Sequence, residues 1–407
     1  MDKLQQFFLT RYLKAPKRNL LRFSFVFMTL GIVLSVGILS AALNLFEGYE
    51  RSLKMVLLGS LPHITIQKTD AEYISPEELD LIVKQLAASS EIESTTPVIT
   101  YSVMAVEGTK VRGASLNGYD FSGRYPFPYA NYIKKGSASL HSGEIIIGKY
   151  LAKELGKKVG DTLKIVYPQL DRISALGIFP AEHNYRVAGI YNSGFYENDR
   201  SMLICTQTDA EALLNINPGF AKLELRLRPS HIDDASILAV SMQNKLGVDY
   251  SLYPWTIFSA GLLKLVMMEK WLIFIVFCFL VLISGINVIS AVATIILDKK
   301  NEIAVLKTLG ASSASIRKVL SYQVGLVGLI AIILGQVLGA LLSIFVEHQG
   351  FYHLKGDVYF IDSLTTAILP LNQLIVFGVS ATLVLACIYY PLRQIDKLQI
   401  IEILRNP

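Results

Sequence analysis

Four apolar stretches, one near the start and three crowded into the last third, constrain this chain more than any other feature. They cover 23–46, 271–297, 319–346 and 368–392, and none contains Asp, Glu, Lys or Arg. Each exceeds the ~20 residues that a helix needs to cross the hydrocarbon core of a bilayer. Ordinary polar sequence fills 47–270. The pattern predicts an α-helical membrane protein with four crossings and one large domain held on one side.

The net charge of +5 would suit a nucleic-acid partner, but the cations gather at the edges of the spans. Lys3, Arg11, Lys14, Lys17, Arg18 and Arg22 precede the first; Lys299, Lys300, Lys307, Arg317 and Lys318 lie between the second and third; Arg393, Lys397 and Arg405 follow the fourth. The loop 347–367 carries only Lys355, against Glu347, Asp357 and Asp362. The positive-inside rule then puts the segments 1–22, 298–318 and 393–407 in the cytoplasm, and 47–270 and 347–367 outside. The first apolar run is longer than the 7–15 residues of a signal-peptide core, so an uncleaved anchor is expected. Cys278 and Cys387 fall inside spans and Cys205 stands alone in the outer domain, where it forms no internal disulfide and reads as a small core residue.

Within the outer domain, 63–67 alternates like a strand. Ser75-Pro76-Glu77-Glu78 then opens a helix, with Ser as N-cap, Pro in the first turn and acids at the positive end of the dipole. Leu79, Ile82, Val83 and Leu86 give that helix an apolar face. A strand over 96–106 completes a β-α-β unit. A second unit is predicted from strands at 222–227 and 250–255 around a helix at 232–246. Strands are expected between them near 111–116, 144–147, 162–167, 185–191 and 202–205. The expected plan is an α/β subdomain built from 60–108 and 220–258, with a mainly-β subdomain inserted over 109–219.

Several motifs carry or exclude chemistry. Gly143-x4-Gly148-Lys149 nearly spells a phosphate-binding loop, but Tyr150 stands where Ser or Thr must hold Mg, and Glu144-Ile-Ile-Ile147 reads as a strand. A chain of this kind that uses ATP needs a separate subunit to bind it. The six histidines show no metal-site spacing, and no nucleophile elbow appears, which leaves only a triad assembled from distant positions as a route to an enzyme. No ionisable residue lies mid-span, against a proton-coupled transporter. Asn287 and Gln336 are expected to make interhelical hydrogen bonds. Gly335-x3-Gly339, with Gly328 a heptad earlier, makes a small-residue face for close packing.

Between the second and third spans, Ile303, Leu306 and Leu309, with Ala304 beside them, form an apolar stripe on a short helix. Lys299, Lys300 and Lys307 charge its other side, Gly310 suits its C-terminal cap, and Ser312 or Ser313 suits the N-cap of the next helix. Such a helix either rests on the bilayer surface or docks into a groove of a cytoplasmic partner.

These residues carry a resemblance. Arg11-Tyr-Leu, Gly48-Tyr-Glu-Arg51 followed by Leu61-Pro-His63, Ile147-Gly-Lys-x-Leu-Ala152, Val159-Gly-Asp161, the helix Glu302–Gly310, Tyr390-Pro391 and Leu398-Gln-Ile-Ile-Glu402-Ile-Leu-Arg405 together resemble the LolC/LolE-type permeases of the lipoprotein-releasing ABC transporter, within the FtsX-like and MacB-like group. The chain departs from that pattern at Glu47, where Asn is usual, and at Ile400, where Pro is usual. The resemblance implies a MacB-like fold in the bacterial inner membrane. It also implies a non-catalytic subunit that binds no cofactor itself, with ATP and Mg held by a LolD-like ATPase dimer. Glu302, Ile303, Ala304, Leu306, Lys307, Leu309 and Gly310 would be the ATPase-coupling helix.

The stretch 168–180 narrows the likeness. Pro168 and Pro180 frame Gln169, Leu170, Asp171, Arg172, Ile173, Leu176, Ile178 and Phe179. A loop this apolar either folds onto its own domain or binds something. The resemblance to the LolC type implies a hook that grips the periplasmic chaperone LolA. The second permease would be a LolE-like paralogue or an identical copy, and the cargo triacylated lipoproteins drawn from the outer leaflet. Leu43, Phe46, Met267, Met268, Trp271 and Ile275, at the outer ends of the first two spans, are the candidate lipoprotein contacts, because Met and aromatic side chains adapt to varied acyl chains. Two rival readings are a MacB-like permease for efflux or peptide export, and an FtsX-like regulator of a cell-wall hydrolase.

Overall fold

The computed structural model of the protein describes residues 19–71, 73–87, 89–168, 173–174, 177–178, 180–214, 219–349 and 365–393. The chain begins with helix α1 (Asn19–Ser60), strand β1 (Ile64–Lys68), α2 (Pro76–Leu86), β2 (Ile92–Glu107) and β3 (Lys110–Tyr119). It continues through β4 (Ile133–Gly136), β5 (Glu144–Gly148), α3 (Lys149–Leu155), β6 (Thr162–Tyr167), β7 (Ile173–Ser174), β8 (Gly177–Ile178), β9 (Ala181–Tyr191), α4 (Tyr196–Ser201), β10 (Met202–Thr206) and α5 (Gln207–Leu214). Last come β11 (Lys222–Leu227), α6 (Ala235–Leu246), β12 (Tyr250–Pro254), α7 (Trp255–Asp298), α8 (Lys300–Thr308), α9 (Ser313–His348) and α10 (Pro370–Leu392).

Four helices, α1, α7, α9 and α10, are long and apolar enough to cross a membrane. Hydropathy marks only the part of a helix that suits lipid. Backbone bonding carries α1 past the expected end at 46 to Ser60, and starts α7 at Trp255 rather than 271. The chain divides into two compact units. One takes in the described residues up to Arg51, from Leu265 to 349 and from 365 onward; the other is Ser52–Lys264.

In the bundle, α9 crosses α1 at its small residues. A Cβ on Gly339 would fall 2.6 Å from Ser40 Cβ and 2.7 Å from the Gly37 carbonyl, and one on Gly335 2.9 Å from Val36 Cβ. Residues without a side chain let the two backbones close to van der Waals distance, which is how helices gain attraction in lipid. The apolar seam behind this crossing holds Met28, Ile32, Val36, Leu39, Ala331 and Ile332. Large apolar side chains such as Phe279, Ile330, Phe345 and Leu374 cover the outer surfaces of α7, α9 and α10.

The other unit is built on one sheet, in the order β12-β1-β11-β2-β3-β10-β5-β9-β4, with β6 against β2 and β9. Its first four strands are mutually antiparallel neighbours. The two β-α-β units are therefore split: β11 lies between β1 and β2, and β1 between β11 and β12, the ferredoxin-like arrangement. Ser75 closes a capping box on α2, its Oγ accepting from the Glu78 N–H at 3.3 Å while Glu78 Oε2 accepts from the Ser75 N–H at 2.9 Å.

Strand β2 runs unbroken up to the expected boundary at 108/109 and changes partners on the way. A seam in the pairing runs through β2, whose residues 92–98 pair with β11 and 99–107 with β3. A single long strand thus serves both halves of the sheet, and periodicity alone shows no break there. Strands β4, β7 and β8 lie beyond the expected set. Ile64, Ile66, Leu116, Ile147, Leu203 and Leu225 are fully buried in a common core, each contributing about 1.5–3 kcal/mol by leaving water. At the seam, Tyr129 and Tyr119 donate to Glu224 Oε2 at 3.1 and 3.4 Å, and Lys222 Nζ lies 3.0 Å from Glu224 Oε1. Burial first, then the Glu224 charge, holds both phenols well above their ordinary pKa.

The last turn of α1 is tied into this unit. Its terminal carbonyls lack intrahelical donors and need outside partners. His63 Nε2 serves Leu58 at 3.1 Å, Arg226 Nη2 serves Gly59 at 3.0 Å and Asn198 Nδ2 serves Ser60 at 3.1 Å. His63 Nδ1 in turn accepts the Leu227 N–H at 2.9 Å. This pair of bonds assigns the neutral tautomer with its proton on Nε2.

Two outcomes are expected. Gly339→Val forces α1 and α9 apart and costs about 1–3 kcal/mol, as overpacking does, read as a lower thermal midpoint of the detergent-solubilised protein. Burial, first among the causes, lowers the His63 pKa below its usual 6.5. The unfolded chain then binds the proton more readily, so this contribution to stability is complete above about pH 6.5 and is lost as pH falls toward the depressed native value. His63→Gln should flatten that acid limb in thermal unfolding curves; an unchanged limb would show that His63 does not set it.

Candidate functional site

Helix α8 ends where Gly310 adopts φ +94, a left-handed conformation that a side chain resists. The Gly310 N–H donates to the Lys307 carbonyl at 3.1 Å and the Ala311 N–H to the Leu306 carbonyl at 2.9 Å. These two bonds form the Schellman stop. Ser312 Oγ accepts from the Ser315 N–H at 3.2 Å and caps α9. Lys299 Nζ bonds both carboxylate oxygens of Glu302 at 2.7 and 2.8 Å.

The expected apolar stripe does not present itself as one face. Ile303 is buried in one core cluster with Ile295, Ile296 and Ile316, and Ala304 is buried beside it in sequence, so neither belongs to an exposed docking surface. Leu306 and Lys307 are half-buried, while Glu302, Leu309 and Gly310 are exposed. The helix lies against the ends of α7 and α9, which cover positions 303 and 304 and turn the opposite side outward. That side adds Val305, missed in the sequence, at 50% exposed beside Leu309 at 78%. Its signal was the i, i+4 spacing of Val305 and Leu309.

At the other end of the bundle, the six candidate lipid contacts separate. Leu43 is 7% exposed and packs in the bundle core, so it is corrected from a surface contact to a core residue. Phe46 is half-buried. Met267, Met268, Trp271 and Ile275 are each more than half exposed, and Trp271 meets Phe274 edge-on at 5.8 Å.

Beside them runs a polar chain that the apolar count concealed. Ser40 Oγ donates to Gln373 Oε1 at 2.9 Å, Gln373 Nε2 to Asn44 Oδ1 at 2.8 Å, and Asn44 Nδ2 to Ser343 Oγ at 3.1 Å. Gln336 Nε2 donates to the Gln373 carbonyl at 2.7 Å, the interhelical bond expected of it; Asn287 is exposed. Where the polar chain reaches the helix ends, Lys270 Nζ lies 2.7 Å from Glu47 Oε2 and 2.9 Å from Glu50 Oε2. Asn372 Nδ2 also donates to Glu47 Oε2, at 3.1 Å. A hydropathy profile hides this pairing, because 47–50 and 270 fall outside the apolar stretches. The available signal was the spacing of Glu47, Glu50 and Arg51 on one helical face.

Of the stretch 168–180, Pro168 is half-buried, Pro180 is exposed, and Ile173 and Ser174 pair antiparallel with Ile178 and Gly177. Gln169, Leu170, Asp171, Arg172, Leu176 and Phe179 lie outside the described residues. The near-phosphate-loop resolves into β5 running straight into α3.

Two family models match this chain: MacB-like periplasmic core domain over residues 25–236, and FtsX-like permease C-terminal over residues 274–400. The lipoprotein-releasing system transmembrane protein LolC of Neisseria meningitidis serogroup B is 26% identical over 424 residues, covering 100% of each chain. The LolE protein of that system from Haemophilus influenzae is 25% identical over 413 residues, covering 97% of this chain and 98% of that one. Among solved structures, the periplasmic region of MacB from Actinobacillus actinomycetemcomitans covers 49% of this chain and 91% of that one at 15% identity, with a TM-score of 0.31, too slight a likeness to carry an argument.

Proposed function

The chain belongs to the MacB-like periplasmic core domain family, and from that premise we propose that it is the permease subunit of a lipoprotein-releasing ABC transporter in the bacterial inner membrane. The observation that carries the reading is the end-to-end match with transmembrane proteins named for lipoprotein release, which spans both the bundle and the α/β domain. Both termini and α8 lie in the cytoplasm, and the α/β domain lies in the periplasm, in accord with the cations flanking the spans.

The chemistry divides among partners. Drawing an acyl-anchored protein from a bilayer must offset about 0.8 kcal/mol for each buried CH₂, which calls for an energy source. A LolD-like ATPase dimer supplies it, holding ATP and Mg and engaging α8 through Val305, Leu309 and Glu302. Ile303 and Ala304 act from beneath, seating that helix on the bundle so that a push on α8 reaches α7 and α9. Met267, Met268, Trp271 and Ile275, with Phe46, meet the acyl chains; flexible thioether and aromatic surfaces repack around different chains. The segment 168–180 is the hook for a LolA-like chaperone. Its support is the two-proline frame and the antiparallel pairing of Ile173–Ser174 with Gly177–Ile178. A second permease, a LolE-like paralogue or an identical copy, completes the complex.

Two experiments test these assignments. Val305→Asp with Leu309→Asp should reduce co-purification of the ATPase roughly tenfold or more, as loss of a central apolar anchor does, without lowering the thermal midpoint. Ile303→Asp should instead lower that midpoint. Full retention of the ATPase by the Val305/Leu309 pair would refute the docking face. Replacing 168–180 with a short Gly-Ser turn should abolish chaperone capture while the ATPase stays bound; chaperone binding that survives would refute the hook.

A further inference from the structure

Glu47 departs from the residue usual before Gly48, and the structure provides that departure with a partner. Lys270 of α7 reaches across to α1 and meets Glu47 at 2.7 Å and Glu50 at 2.9 Å. Arg51 Nε lies 3.6 Å from Glu47 Oε1, and Asn372 of α10 donates to Glu47 Oε2. The Glu47 side chain is only 12% exposed and Lys270 24%, so water screens this group less than it would a surface pair. The ammonium spends two of its three donors on two carboxylates from successive turns of one helix. Without it, only Arg51 would offset the two carboxylates that stand at i, i+3 on α1.

The position of Lys270 along α7 gives the group a role. Met267 and Trp271 flank it by three residues and one, and Ile275 follows five later, so it stands among the exposed apolar side chains read above as acyl contacts. A chain entering between α1 and α7 must part the helix ends that this group joins.

We propose that Glu47, Glu50 and Lys270 form a charge latch that clasps the outer ends of α1 and α7 in the cargo-free permease and opens to admit the acyl chains of a lipid-anchored polypeptide, making Lys270 a positioning residue for cargo entry. The cargo part rests on the lipoprotein reading; the clasp rests on the geometry of three side chains.

The test uses the full permease–ATPase complex in proteoliposomes, with amide exchange followed in 44–51 and 267–273 and a synthetic triacylated lipopeptide as probe. Lys270→Gln should speed exchange in both segments about tenfold or more, as expected for losing two charge-assisted hydrogen bonds, and should raise the lipopeptide association rate. Lys270→Arg keeps a cation between both carboxylates and should hold both readings near the wild-type values, which a general intolerance of substitution at this position would not allow. Unchanged exchange in Lys270→Gln, or exchange as fast in Lys270→Arg as in Lys270→Gln, overturns the latch. Faster exchange in Lys270→Gln alone with association rates unmoved removes its part in cargo entry. A wild-type complex that never binds the lipopeptide, yet shows the exchange pattern, supports the latch and refutes the lipoprotein reading instead.

Discussion

The last turn of α1 is the joint on which the α/β domain depends. A helix that ends inside a folded domain must find donors for its final carbonyls, or each costs about as much as a lost hydrogen bond. Here His63, Arg226 and Asn198 supply them, from the strand entry, from β11 and from α4. One helix end thereby fixes three segments far apart in sequence. Arg226 also brings positive charge to the negative end of the helix dipole. Since α1 runs unbroken from Asn19, this joint closes one end of an element whose other portion belongs to the bundle.

Within the bundle the organising forces differ. Lipid offers no hydrophobic incentive for helices to associate, so close backbone contact and satisfied polar groups must do the work. The Gly335/Gly339 face supplies the first by letting Val36 and Ser40 approach. The Ser40–Gln373–Asn44–Ser343 chain supplies the second, joining α1, α9 and α10 through residues that would be costly alone. The charged group at Glu47 continues this chain to α7, so all four long helices are joined by polar contacts as well as apolar packing.

Much of the architecture was legible because it follows local rules. Ser75 and Glu78 announce their capping box, Gly310 its left-handed stop, and β6 and β11 keep the ranges that their patterns indicated. The candidate site was legible only in part. Ile303, Val305, Leu306 and Leu309 are all apolar, and helical spacing allows either side to face inward. The ends of α7 and α9 settle which one does. Leu43 and Met268 likewise look equivalent in a hydropathy profile, although one is enclosed by the bundle and the other is open.

By itself, the amino-acid order determined four membrane-length helices, the helix ends at which their cations gather, the helix caps and the alternating strands, because each depends on residues within a few turns of one another. Tertiary structure alone decided the strand order that splits both β-α-β units, the single strand β2 shared across the seam, the inward turn of Ile303, and the pairing of Glu47 with Lys270. Each of these brings together residues distant along the chain. Their energies depend on distance in space, which local pattern does not encode.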